Sequence, residues 1–420
     1  MTKDNRVLAA MMAAMFLSYL PWYSFSAVAG VMARDLELTI SQMGVILAVF
    51  QAGYVIMVIG VGFLSDRFGH WRVLAAATIF TALAAILTPF LTVGFYSLLF
   101  FRLTTGLGAG AIYVPGLAYL SGWFAPASRG RAFGAYTAAL TASYAGGYFV
   151  AAPLAAAVNW QAGLLATALP AAAAGLILIF FVPRQTPAEP NAPADAAKSE
   201  VRTKPEMDAP VLLTTGYAGH MWELYAFWGW IGPFLAACFY AKGFSQTEAM
   251  ARSGFWSSMI ILSGVASVWA VGWLSDRLGR LKTIILSATL SLLAEFILGF
   301  TYGTSLALVL AVGFFIGFWS VADSGVYKAA LVESVPGSMK STALGFQSAF
   351  GFLATIISPL VFGFILTASN PGLNNSTEAE VWTWSFAALG LGALLAPLSI
   401  AGLKRRQSRR AGPTSGQPTL

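Results

Sequence analysis

Charge is what this 420-residue chain has least of: only 10% of its residues are Asp, Glu, Lys or Arg, against about a quarter in ordinary soluble domains. A chain that is also 58% hydrophobic cannot clothe a water-facing surface, which excludes a soluble enzyme. Its one cysteine, Cys238, lies in an apolar run and leaves no intrachain disulfide to form. No glycine-rich loop ending in Gly-Lys-Ser/Thr occurs, which disfavours an ATP-driven pump. The net charge of +7 does not point to nucleic acid, because the basic residues sit in short segments between apolar runs. No metal site or cofactor is called for.

What is there is a series of apolar runs. A helix crosses the hydrocarbon core with roughly 20 apolar residues, and twelve such runs are present. In the first half they cover 7–33, 42–65, 72–93, 95–124, 132–158 and 160–182. In the second they cover 211–240, 249–275, 282–302, 305–331, 341–367 and 381–403. The first run is too long for the core of a signal peptide. Between the halves, 183–210 is rich in proline and mixed charge and reads as a flexible linker. Residues 404–420 form a basic tail at the membrane surface. Lys3, Arg6, Arg67, Arg72, Arg129, Arg131, Arg277, Arg280, Lys282 and the tail all fall on one side, against Arg34, Lys242 and Arg252 on the other. The positive-inside rule then puts both termini and the linker in the cytoplasm.

An eleven-residue segment occurs twice, at 62–72 and 272–282. Gly62, Leu64, Ser65, Asp66, Arg67 and Gly69 recur as Gly272, Leu274, Ser275, Asp276, Arg277 and Gly279, an offset of half the chain. Pro126 and Ser128 recur as Pro336 and Ser338. Such a period marks two similar halves joined in tandem. With twelve spans and the motif between spans 2–3 and 8–9, the chain resembles the major facilitator superfamily of secondary transporters. His70 departs from the arginine usual in the first copy.

The resemblance implies an all-α membrane protein: 1–182 and 211–403 as two pseudo-symmetric six-helix halves, with spans 1, 4, 7 and 10 around a central cavity. It also implies that Asp66 meets the start of span 11 and Asp276 the start of span 5. Glycine permits close helix approach, and a helix N-terminus favours an anion. Gly62, Asp66, Arg67, Gly272, Asp276 and Arg277 are therefore read as gate residues. In span 4, Arg102 with Gly106 and Gly110 resembles a pattern linked with proton coupling. The span 5 signature of drug–proton antiporters is poorly matched, since Gly146 and Gly147 precede Pro153.

Charges within spans are rarely idle, because even the lenient scale charges about 3 kcal/mol for each. His220 and Glu223 share a face of span 7, which Phe227 and Trp230 continue. Asp323 on span 10 has Trp319 and Tyr327 one turn either side and is a candidate partner for Arg102. Lys328 either faces the cavity or snorkels to water, and Glu295 on span 9 reads as a buried structural contact. Tyr19, Tyr23 and Tyr113 add aromatic lining. Pro21, Pro115 and Pro233 interrupt cavity helices and mark expected bends.

Together these residues point to a secondary transporter of a small organic solute by alternating access, with the proton as coupling ion. His220, Glu223, Asp323 and Arg102 are the proton-coupling candidates. Arg102 and Lys328 tilt the substrate slightly towards an anion. A proton-antiport exporter of lipophilic or cationic compounds and a uniporter of a neutral solute remain open. The expected setting is the plasma (inner) membrane, with the protein as a monomer in the lipid bilayer.

Overall fold

The computed structural model describes residues 2–184, 208–336 and 339–411, and nearly all of them are helical. The expected linker falls almost wholly outside the described residues, as do most of the basic tail and Ser338. Among the described residues the chain crosses the bundle twelve times. Spans 1 to 6 are Lys3–Asp35, Ile40–Phe68, His70–Leu91, Phe95–Ser121, Pro126–Ala157 and Trp160–Phe181. Spans 7 to 12 are Asp208–Tyr240, Gln246–Leu278, Arg280–Thr301, Leu306–Glu333, Lys340–Ser369 and Thr383–Arg406.

Ten of these helices are long and apolar enough to cross a membrane. Spans 5 and 7, at 32 and 33 residues, are long enough but diluted by tyrosine, glycine and, in span 7, His220 and Glu223. Their setting accounts for this. From Tyr217 to Phe239 every residue of span 7 except Trp222 is buried, so its neighbours are protein and not lipid tails.

Four spans are broken near mid-membrane. Span 1 breaks at Leu20, ahead of Pro21, and span 4 at Ala111 and Ile112, one turn before Pro115. A proline ring offers no N–H to the carbonyl four residues back. Span 12 breaks at Leu394, close to Pro397. Span 10 breaks at Asp323 with no proline nearby. Pro233, an expected bend, lies inside an unbroken helix.

Each half is knitted by glycine. A Cβ on Gly106 would strike the Phe50 carbonyl, and one on Gly110 the Tyr54 carbonyl, so spans 2 and 4 touch backbone to backbone. The halves join by span 2 on span 11 and span 5 on span 8. On the side away from the termini these pairs are closed. A Cβ on Gly44 would lie 3.0 Å from the Pro359 oxygen and 3.2 Å from the Gly363 Cα, while one on Gly254 would strike the Ala152 side chain. The Ser41 hydroxyl donates to Thr367 at 2.7 Å across the first pair. On the terminus side the same four helices diverge: a side chain at Gly62, Gly134, Gly272 or Gly345 would meet nothing within 4 Å. The bundle is therefore open towards the termini and shut on the opposite face.

Candidate functional site

Where the closed region gives way to the open one, aromatic rings from both halves interlock. Trp22 stacks on Tyr19 (centroids 5.3 Å) and meets Tyr144 edge-on at 5.1 Å. Across the halves, Trp22 faces Tyr225 at 6.1 Å, Tyr144 faces Trp228 at 5.1 Å, and Tyr54 faces Phe352 at 5.1 Å. Tyr23 touches Trp228, and the Tyr148 hydroxyl donates to the Trp228 carbonyl at 2.7 Å. The break at Leu20 turns Tyr19, Trp22 and Tyr23 into this cluster. Tyr54, Tyr144, Tyr225 and Trp228 carried no periodic signal that set them apart from packing residues.

Arg102 is buried, but not against an acid. Its guanidinium lies 4.2 Å from the centroid of Phe50 and 4.9 Å from that of Phe25, and it donates to the Trp22 carbonyl at 3.3 Å. A small cavity beside it is lined by Pro21, Ser24, Thr88, Thr105 and Leu164, all in the first half. The contact expected between Arg102 and Asp323 is not made. Two cation–π contacts of about 1 kcal/mol each and one carbonyl hold the charge in place of a carboxylate.

Asp323 instead pairs with His220, Nδ1 to Oδ1 at 2.9 Å, both 2% exposed. The other imidazole nitrogen lies 2.6 Å from the Ser324 hydroxyl. The helix break at Asp323 makes this possible, since it places consecutive residues 323 and 324 on the two sides of one imidazole. Tyr217 and Tyr327 enclose the ring at 5.6 and 5.9 Å. Glu223, one turn along span 7, is 2% exposed, and its Oε1 has no hydrogen-bond partner.

Lys328 lies nearer the termini. It is half-buried, belongs to none of the ion pairs among the described residues, and is within electrostatic reach of Tyr217 and of Tyr113 from the other half. Tyr113 itself shares a 2.9 Å hydrogen bond with Thr137 and stacks on Tyr136.

Other expected lining residues lie elsewhere. Trp230 stacks on Phe362 and donates to the Pro359 carbonyl at 3.1 Å, which anchors span 11. Trp319 packs with Phe315 and Phe318 on span 10. Phe227 is fully buried in the core.

The twice-repeated motif is laid out as two half-turns. Gly69 and Gly279 adopt φ of 86° and 85°, a left-handed conformation that glycine alone enters at no steric cost. Asp66 is exposed and makes no hydrogen bond or ion pair among the described residues. Asp276 pairs with Arg280 at 2.6 Å, and Arg280 reaches Glu333 at 3.2 Å. His70, at the position matching Arg280, leaves the first half without that bridge. Arg67 and Arg277 lie over the Phe68 and Trp273 rings. The close approach expected at Gly62 is absent because the halves stand apart on this side.

The family model described as Major Facilitator Superfamily matches residues 11–250 and again 223–419. The chain belongs to this superfamily. A protein of Haemophilus influenzae named only for metabolite transport is 24% identical over 354 residues, covering 80% of this chain and 83% of that one. A probable sulfoacetate transporter of Cupriavidus necator is 23% identical over 419 residues, covering 93% and 92%. Among solved structures, a bacterial homologue of the human lysosomal transporter Spinster, in an inward-facing, unoccupied conformation, superposes with a TM-score of 0.80 at 16% identity over 99% of both chains. The protein is a multi-pass membrane transporter of small solutes and not an enzyme. Its two six-helix halves form the superfamily fold.

Proposed function

We propose that this transporter carries a small organic anion across the plasma (inner) membrane by alternating access, coupled to protons, with its termini in the cytoplasm. The observation that carries the reading is Lys328. It is an unpaired cation on span 10, half-buried and within electrostatic reach of Tyr217 and of Tyr113 from the other half. Asp323 is held by His220, and Glu223 is buried. Lys328 is then the charged group that meets a solute entering from the terminus side. The name of the Cupriavidus relative, which covers nearly the whole chain, supports an anionic solute.

The His220–Asp323 pair is the coupling element of this reading. Its two groups lie within hydrogen-bond distance of one another, and the pair adjoins Lys328 through Ser324 and Tyr327. Tyr19, Tyr23, Trp22 and Tyr225 form the floor on which the solute's carbon frame rests. The motif residues Asp66 and Asp276 close the terminus side in the opposite state.

Transport into vesicles under an imposed pH gradient, with carboxylates, sulfonates, hydrophobic cations and neutral solutes as a panel, tests the reading. Uptake of an anion with protons, weakened at least about tenfold in affinity by Lys328→Gln and largely restored by Lys328→Arg, is expected. Proton movement in response to hydrophobic cations alone would point to export instead. Transport of a neutral solute, indifferent to pH and to Lys328, would point to a uniporter.

A further inference from the structure

The first half holds one buried cation and no buried acid among its described residues. Its acids are Asp4, Asp35, Glu37 and Asp66, all exposed at helix ends or in the turn between spans 1 and 2. Arg102, by contrast, is 5% exposed and lies two turns into span 4. The contacts already described fix its guanidinium without neutralising it. Phe25 and Phe50 present ring faces and Trp22 a carbonyl, none of them a full negative charge. Arg102 Nε is buried and has no hydrogen-bond partner among the described residues. An ionised group in such an interior calls for a counter-charge.

The cavity beside this side chain has the chemistry to hold one. It lies between spans 1, 3, 4 and 6, within the first half, and its lining includes Pro21, Ser24, Thr88, Arg102, Thr105 and Leu164, all buried. A volume of about 20 Å³ admits one small ion and no organic solute. Three hydroxyls share it with the guanidinium. Ser24, Thr88 and Thr105 now donate to the Pro21, Ala84 and Phe101 carbonyls at 3.1, 2.8 and 2.7 Å. Those carbonyls lie one turn back on the same helix, and such local bonds compete only weakly with a better acceptor. Turned inward, the hydroxyls donate to an anion, whereas Arg102 repels any cation. A water molecule would satisfy Nε but leave the charge standing.

We propose that this cavity binds a small monovalent inorganic anion, of the size of chloride, as a resident counter-ion of Arg102, separate from the transported solute. The ion accepts hydrogen bonds from Arg102 Nε and from the Thr88 and Thr105 hydroxyls. Its position gives it a task. Pro21 and Ser24 of the cavity wall belong to the first turn after the break in span 1, and Arg102 holds the Trp22 carbonyl between them. An occupied cavity therefore braces the bend that sets Trp22 and Tyr23 into the aromatic junction. The site stands whichever solute the cleft carries and whether or not protons drive it.

Thermal unfolding of the full chain in detergent tests this, at fixed ionic strength with gluconate replaced stepwise by chloride or bromide. The midpoint is expected to rise with halide and to saturate. Thr88→Val and Thr105→Val keep the side-chain outline without the hydroxyl. Each should need about fivefold more halide for half the effect, the equivalent of one hydrogen bond. Lys328→Gln, which alters the solute cleft, should leave the halide response as in the wild type. Crystals grown in bromide should show its anomalous scattering beside Arg102 Nε. A midpoint indifferent to halide, or ordered water alone in the cavity, would overturn the proposal. So would a halide effect that Lys328→Gln abolishes and the threonine variants keep, since the ion would then sit in the cleft.

Discussion

At the scale of single residues, the second half holds most of the ionisable chemistry and the first half most of the aromatic surface. His220 and Asp323 sit 2.9 Å apart with almost no exposure, where each charge needs the other. Asp323→Asn keeps the shape and removes the counter-charge. Gradient-driven accumulation is expected to fall at least about tenfold while exchange survives; unimpaired accumulation would remove the pair from the coupling path. Arg102 belongs to a different argument. Its guanidinium is clamped by Phe25 and Phe50 and donates to the Trp22 carbonyl in the first turn after the break in span 1. Arg102→Ala strips two ring contacts and the hydrogen bond to the Trp22 carbonyl, a loss of about 2–4 kcal/mol. The loss should be read as a lower midpoint of thermal unfolding in detergent. Arg102→Lys should not restore it, since an ammonium lacks the planar face that stacks on rings. A folded Arg102→Ala protein of wild-type thermal stability that binds no anion would reverse this assignment.

At the scale of elements, the glycines decide how helices meet. Gly106 and Gly110 were legible as a close-packing face, because small residues four apart can mean little else in a membrane helix. Gly44 and Gly254 were not singled out, although they too are separated by half the chain. Nothing around them resembles a motif, and their partners, Gly363 and Ala152, lie far away in sequence. Gly44→Leu or Gly254→Leu inserts a side chain where the two halves now touch closely. Either change should weaken closure of the face opposite the termini and lengthen spin-label distances between spans 2 and 11 there. Unchanged distances would mean that the glycines only fill space. The breaks divide in the same way. Pro21 and Pro115 announced theirs, whereas Pro233 was absorbed by a helix packed on every side. The break at Asp323 had no proline to signal it, and it is the one that assembles the imidazole pair.

At the scale of the whole molecule, the tandem repeat, the apolar runs and the doubled motif made the twelve-span, two-half fold readable from sequence. The site was less so. Its charges could be named from burial cost alone, but which acid faces which base depends on helix rotation, and periodicity does not fix that. Arg102 and Asp323 belong to different halves and never meet in this state. The motif carboxylates Asp66 and Asp276 are exposed, and the halves stand apart on their side. The central claim is that the halves rock about the aromatic junction and open one face at a time. Paired spin labels at positions 62 and 345 on the terminus side, and at 41 and 367 on the opposite side, test it in lipid vesicles at neutral and low pH with and without a transported anion. The account predicts opposed changes: as the first distance shortens, the second lengthens. Both distances holding constant, or both moving in the same direction, would contradict it.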